Sequence, residues 1–201
     1  MTELAPRPID IAFSPAVKAA QEAHGSRQAY AGRDMEADIT PDLQAFLEAQ
    51  RSVFLATASA AGQPYVQHRG GAPGFLRVVG PRTLAFADYR GNKQYITVGN
   101  ASENERAFLF TIDYRHRRRV KLWGRLEVRE GKEEARELMP EGYRAVPERV
   151  ILFHVEAWDV NCPQHIHRRY PDSVVIRLKQ RIAELEAELA ARGEEKSVSP
   201  A

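Results

Sequence analysis

Residues 75–95 read FLRVVGPRTLAFADYRGNKQY, and this stretch decides the fold. Residues 75–79 and 83–87 are apolar, β-prone runs, and Gly80-Pro81-Arg82 between them is a turn, so the stretch predicts a β-hairpin. Working outward, residues 53–57 (VFLAT) predict a strand, Ala61-Gly62-Gln63-Pro64 a turn, and residues 65–68 a second strand. Residues 107–112, 120–128 and 150–155 supply three more. Residues 93–104 and 132–138 predict short helices between them. Closely spaced strands with a few interposed helices predict an antiparallel β-barrel with α additions. Before it, Ser14-Pro15 and Thr40-Pro41 each pair an N-cap with Pro at the first helical position. The first helix stops at Gly25, and the second turns Leu43, Phe46 and Leu47 to one face. No internal repeat is visible.

The 201 residues carry 29 Lys+Arg and 27 Asp+Glu, a formal charge of +2. That balance argues against a dedicated nucleic-acid binder, although a pI near 8.7 leaves room for a local basic site. No apolar run approaches the roughly 18–20 residues that cross a bilayer, so no membrane partner is expected. Nothing marks the N-terminus for secretion, and the single cysteine, Cys162, suits a reducing cytoplasm. The expected organisation is an N-terminal extension over 1–39, the barrel domain over 40–170, an amphipathic helix over 171–192 and a flexible tail over 193–201. On that helix Val175, Leu178, Ile182, Leu185 and Leu189 are spaced 3, 4, 3, 4, a heptad seam that docks either on its own barrel or on another subunit.

Four segments could carry chemistry. Residues 113–129 hold Arg115, Arg117, Arg118, Arg119, Lys121, Arg125 and Arg129 against Asp113 and Glu127. On a strand, Val120, Leu122, Leu126 and Val128 face one way, while Arg119, Lys121, Trp123, Arg125 and Glu127 face the other. Such a face suits an anion, a stacked ring or a partner subunit, unless it is a solvated charge run. The loop His68-Arg69-Gly70-Gly71-Ala72-Pro73-Gly74 allows close backbone approach but lacks dinucleotide-binding spacing. Asp88-Tyr89-Arg90-Gly91-Asn92-Lys93-Gln94 runs from a strand end towards a helix N-terminus. It is either a phosphate cradle or an ordinary turn. Cys162, His165 and His167 lack a fourth partner and a standard zinc spacing, so no metal is expected, and nothing supplies Cys162 with a base.

In order, VFLATASAAGQPYVQHRGG, FLRVVGPRTLAFADYRGNKQY, RRVKLWGRLEV and FHVEAWDVNCPQHI resemble the FMN-binding split-barrel family of pyridoxamine 5'-phosphate oxidase-like proteins. The resemblance covers roughly residues 40–170. It implies a mainly β antiparallel split β-barrel with N-terminal helices and a C-terminal helix. It also implies FMN as cofactor, held at the interface of a homodimer.

By that resemblance Asn92, Lys93 and Gln94 take the positions of a Ser-Arg-Lys phosphate-binding run, just after Asp88. Arg119 falls where the family commonly has a Gln near the flavin. Trp158 falls near its C-terminal aromatic. Arg69 and Arg77 are candidates for the basic positions on the preceding strands, and Trp123 would face flavin, substrate or the second subunit. His68 or Arg69 would stabilise the anionic reduced flavin, and no side chain stands out as a catalytic base. True pyridoxamine phosphate oxidases end in an Arg-rich substrate-binding segment, whereas this chain runs from Arg168-Arg169-Tyr170 into a charged helix. The expectation is therefore a cytoplasmic, FMN-dependent oxidoreductase of a small-molecule substrate other than vitamin B6, with NADH or NADPH as candidate donor. The alternative is a non-catalytic carrier or sensor of FMN, haem or a deazaflavin.

Overall fold

The computed structural model describes residues 7–161 and 163–197, with side chains as far as residue 192. The chain forms two units: one takes in the residues up to Asp113 and Arg118–Pro163, the other Tyr114–Arg117 and the residues from Gln164 onward.

The first unit opens with α1 (Pro8–Ala12), α2 (Pro15–Ala23), α3 (Arg27–Ala31) and α4 (Pro41–Glu48). Ser14 Oγ accepts from the Val17 amide and Thr40 Oγ1 from the Leu43 amide, each at 3.3 Å, so both predicted N-caps form. Among the described residues three helices precede residue 40, where the sequence predicts one. The two it misses, α1 and α3, have five residues each and are too short to show a period.

The strands are β1 (Ser52–Ala58), β2 (Pro64–Gly70), β3 (Arg77–Gly80), β4 (Thr83–Tyr89), β5 (Arg106–Asp113), β6 (Arg118–Glu130) and β7 (Pro147–Asn161). Helix α5 (Ile96–Glu103) joins β4 to β5, and α6 (Lys132–Glu137) joins β6 to β7. All pairings are antiparallel, in the order β2-β1-β5-β6-β7-β4-β3. The end strands β2 and β3 do not pair with each other among the described residues, and the result is a split β-barrel.

Alternation builds the core. Val53 and Leu55 of β1, Leu109 of β5, and Val120, Leu122 and Leu126 of β6 turn inward, joined by Phe86, Ile151 and Phe153. Leu43 and Leu47 of α4 are fully buried against them, each side chain worth about 1.5–3 kcal/mol. Strand β4 is covered on both sides, because Ala85 and Ala87 pack with Ala135 of α6, Val150 and Leu152. The register shifts between Trp123 and Gly124, where a Cβ on Gly124 would lie 2.0 Å from the His154 carbonyl oxygen.

Two expectations need correction. Phe75 and Leu76 are buried loop residues rather than strand, and a Cβ on Gly71 would strike Phe75, so the Gly-rich loop serves to pack Phe75. Helix α5 begins at Ile96 instead of residue 93, because Lys93 and Tyr95 adopt left-handed backbone, at φ 61° and 54°.

In the second unit the Arg169 guanidinium lies 4.3 Å from the centre of the Tyr114 ring. Helix α7 (Asp172–Ser197) continues past the expected end at 192, and residues 198–201 lie outside the described residues. No helix among the described residues is long and apolar enough to cross a membrane.

Candidate anion-binding site

Strand β4 delivers Asp88 to its C-terminal end with the carboxylate buried. A buried carboxylate needs compensating charge, and its neighbours supply two cations. Arg69 Nη1, from β2, donates to Asp88 Oδ1. Arg149 Nη1, from β7, donates to Asp88 Oδ2 at 2.8 Å, consistent with the cross-strand pairing of Asp88 and Arg149. Burial opposes charge on Arg149, but hydrogen bonds to Asp88 and to Glu130 (2.9 Å) outweigh it and hold its pKa above the usual arginine value. Its guanidinium also sits 5.1 Å from the centre of the Tyr95 ring.

The segment after β4 closes the cleft. Asn92 Oδ1 accepts from the Gln94 amide at 3.2 Å, an Asx turn that sets the loop's direction. The left-handed residues Lys93 and Tyr95 then swing the chain into α5. Each such non-glycine conformation costs on the order of 1–3 kcal/mol, so the surroundings must hold it in place. Tyr95 is the N-cap residue and gives no side-chain cap, so α5 presents uncapped amides at the cleft. Thr97 Oγ1 donates to Gln67 Oε1 at 2.8 Å and Asn100 Nδ2 to Thr57 Oγ1 at 3.0 Å, which anchors the helix on β2 and β1.

The resulting cleft, with a cavity volume of about 40 Å³, is lined by Gln67, Arg69, Asp88, Asn92–Gln94, Tyr95, Thr97, Glu148 and Arg149 among others. Three cations (Arg69, Lys93, Arg149) face two carboxylates (Asp88, Glu148), an excess of one positive charge. Lys93 is exposed and forms no ion pair among the described residues. Arg69 Nε is buried with no hydrogen-bond partner among the described residues. An unspent donor, an unpaired ammonium and a helix N-terminus around a small cavity make this cleft a candidate site, with donors that could receive a phosphate-sized anion.

The fold brings five of the expected site residues together here: Arg69, Asp88, Asn92, Lys93 and Gln94. The other five are elsewhere in the chain. His68 points to the opposite face of β2, its Nε2 2.5 Å from Ser52 Oγ and its ring edge-on to Phe54. Arg77 donates to the carbonyls of Gly74, Glu137 and Met139, which ties the hairpin to the end of α6. Trp158 donates Nε1–H to the Asp38 carbonyl at 3.0 Å and packs on the core. Trp123 stacks edge-on to Phe108, under Lys121, in a second cavity of about 460 Å³ beside Phe13, Tyr30 and Asn161. Arg119 lies opposite Asn161, and its Nε and Asn161 Oδ1 are both buried without partners among the described residues. The basic strand is largely neutralised: Arg118 pairs with Asp42, Lys121 with Asp159, Arg125 with Glu105 and Glu156, and Arg129 with Glu127.

Sequence reasoning missed Arg149, because its tie to Asp88 exists only through the β4–β7 register; a charged residue abutting the apolar run 150–155 was the available signal. Cys162 lies outside the described residues, and among those described no group of three His, Cys, Asp or Glu side chains could hold a metal.

A family model for pyridoxamine 5'-phosphate oxidase matches residues 39–162. The chain belongs to this family. The match runs from just before α4 to the end of β7, so the pyridoxamine 5'-phosphate oxidase region contains every residue lining the cleft. No curated protein matches the sequence. Among solved structures, HupZ of Group A Streptococcus is 19% identical with a TM-score of 0.47, over 66% of this chain and 99% of that one. A Clostridium acetobutylicum protein related to general stress protein 26, of the pyridoxinephosphate oxidase family, is 12% identical with a TM-score of 0.44, over 60% and 85% of the two chains. The FAD binding protein of Mycobacterium smegmatis is 12% identical with a TM-score of 0.41, over 63% and 97%.

Proposed function

We propose that this protein is a homodimeric flavoprotein that grips the phosphate of FMN beside Asp88 and acts as a cytoplasmic oxidoreductase on a small organic substrate. One observation carries the reading: Arg69, whose buried Nε has no partner among the described residues, lines a small, net-cationic cleft with Lys93 and the uncapped start of α5. A phosphate offers acceptors for each of these donors, and Asp88 keeps both guanidinium groups in place to receive it.

The cavity of about 40 Å³ suits a phosphate and is far too small for three fused rings. The ring therefore lies at the cleft mouth, against a second copy. A half-buried aromatic row on the outer sheet face favours that arrangement: Phe54 pairs across strands with Phe110, and Phe108 with Trp123. Arg119 and Trp123, remote from the cleft in their own chain, reach the flavin of the second copy. When bound, the isoalloxazine supplies the redox chemistry. The chain's own residues bind the phosphate, orient the ring and shield it from water.

Titrating FMN into the protein tests the reading. Lys93→Ala removes one charge-assisted contact and weakens binding by about 1.5–3 kcal/mol. An unchanged dissociation constant puts the phosphate elsewhere. NADH or NADPH should bleach the absorbance of the bound flavin; a bound flavin inert to both makes the protein a carrier.

A further inference from the structure

Helix α7 carries an apolar stripe whose side chains are exposed. Val175, Leu178, Ile182, Leu185 and Leu189 occupy alternate a and d positions of a heptad, and all are exposed, Leu178 at 60% and Leu189 at 68%. Five large aliphatic side chains in one row at heptad spacing form a seam of the kind that a second helix covers.

The charges beside the seam select the partner. Lys179 and Arg181 hold the flanking e and g positions of the first heptad, and Glu186 and Glu188 hold those of the second. Cations placed N-terminal to glutamates are the weaker order for pairing within one helix, so helix stability does not account for the pattern. The helix is instead complementary to itself turned end for end. In an antiparallel pair, e positions face e positions and g positions face g positions. Lys179 then meets Glu186 of the second copy and Arg181 meets Glu188, each twice by symmetry. Ile182 layers on Leu185 and Leu178 on Leu189. A parallel pair sets g against e of the next heptad and keeps only the Arg181–Glu186 contact. Within its own helix Arg181 reaches Glu184 at 2.9 Å and Glu188 at 3.6 Å, exposed pairs that exchange readily for intermolecular ones.

We propose that α7 is a dimerisation element that packs antiparallel against α7 of a second copy of this chain. The test uses the full-length protein with Cys162→Ser as background. Leu178→Cys protein and epitope-tagged Leu189→Cys protein are mixed and mildly oxidised. An antiparallel pair gives the disulfide-linked mixed dimer, while each variant alone links to itself far more slowly. Self-linking that outruns mixed linking, or no linking at all, overturns the proposal. K179E/R181E in both proteins should cut the mixed-dimer yield about tenfold, and adding E186K/E188K should restore it. A yield indifferent to both changes overturns the charge complementarity. The linkage is read on flavin-free protein, so its outcome stays separate from that of the flavin site, which FMN titration reads.

Discussion

Asp88 is the residue on which the cleft depends. Its side chain is 7% exposed and stands between Arg69 and Arg149, which are 13% and 10% exposed. Three charges at this depth persist because each satisfies another; remove the central one and two guanidinium groups face each other in a poorly hydrated space. Losing one partner of a buried ion pair costs about 3–5 kcal/mol. Asp88→Asn, which keeps the shape and one acceptor, should lower the free energy of urea unfolding by about 3 kcal/mol, with inorganic phosphate recovering part of the loss. Equal stability with and without the substitution would mean that Asp88 does not hold the two arginines. Lys93 differs from them: it is exposed, so Lys93→Ala should leave the unfolding midpoint nearly unchanged while weakening FMN.

At the level of elements, β6 could be read in advance, because a period of two with Val120, Leu122 and Leu126 on one side admits one orientation. The tight crossing at Gly124 could not, since it depends on the His154 carbonyl of β7. Gly124→Ala pushes a methyl group into that carbonyl and should destabilise the fold by about 3 kcal/mol or abolish soluble expression. A variant as stable as the parent in urea titration would show that β6 and β7 can separate there. The N-terminal helices were the least legible part, because their attachment depends on polar tertiary contacts. Asp34 accepts from the amides of Ile9 (3.2 Å) and Met35 (2.9 Å) and pairs with Arg7 at 3.2 Å. Partial burial pushes its carboxyl pKa up, but those donors outweigh it and hold the group below the usual aspartate range. A depressed carboxylate pKa stabilises above the unfolded value and ceases to do so as pH falls through the folded one. Hydrogen-exchange protection of the Ile9 amide should therefore hold at neutral pH and be lost as pH falls through the lowered Asp34 pKa. Protection equal in the parent and in Asp34→Asn at neutral pH would show that Asp34 does not anchor α1.

At the scale of the whole molecule, the near-zero net charge conceals a division of labour. Acidic residues of α4, β7 and the loops neutralise the basic strand β6, leaving a small cationic excess at the cleft beside Asp88. The loop of residues 88–94 was legible because its residues are neighbours in the chain. Arg149 was hidden 61 residues away, and the separation of Trp123 from the cleft became visible only with the sheet order. FMN and riboflavin differ only in the phosphate that the cleft beside Asp88 is proposed to hold. Comparing their dissociation constants by fluorescence quenching tests that role most directly. Two or more charge-assisted hydrogen bonds to the phosphate predict at least about a hundredfold tighter binding of FMN. Equal affinities for the two flavins would contradict the account.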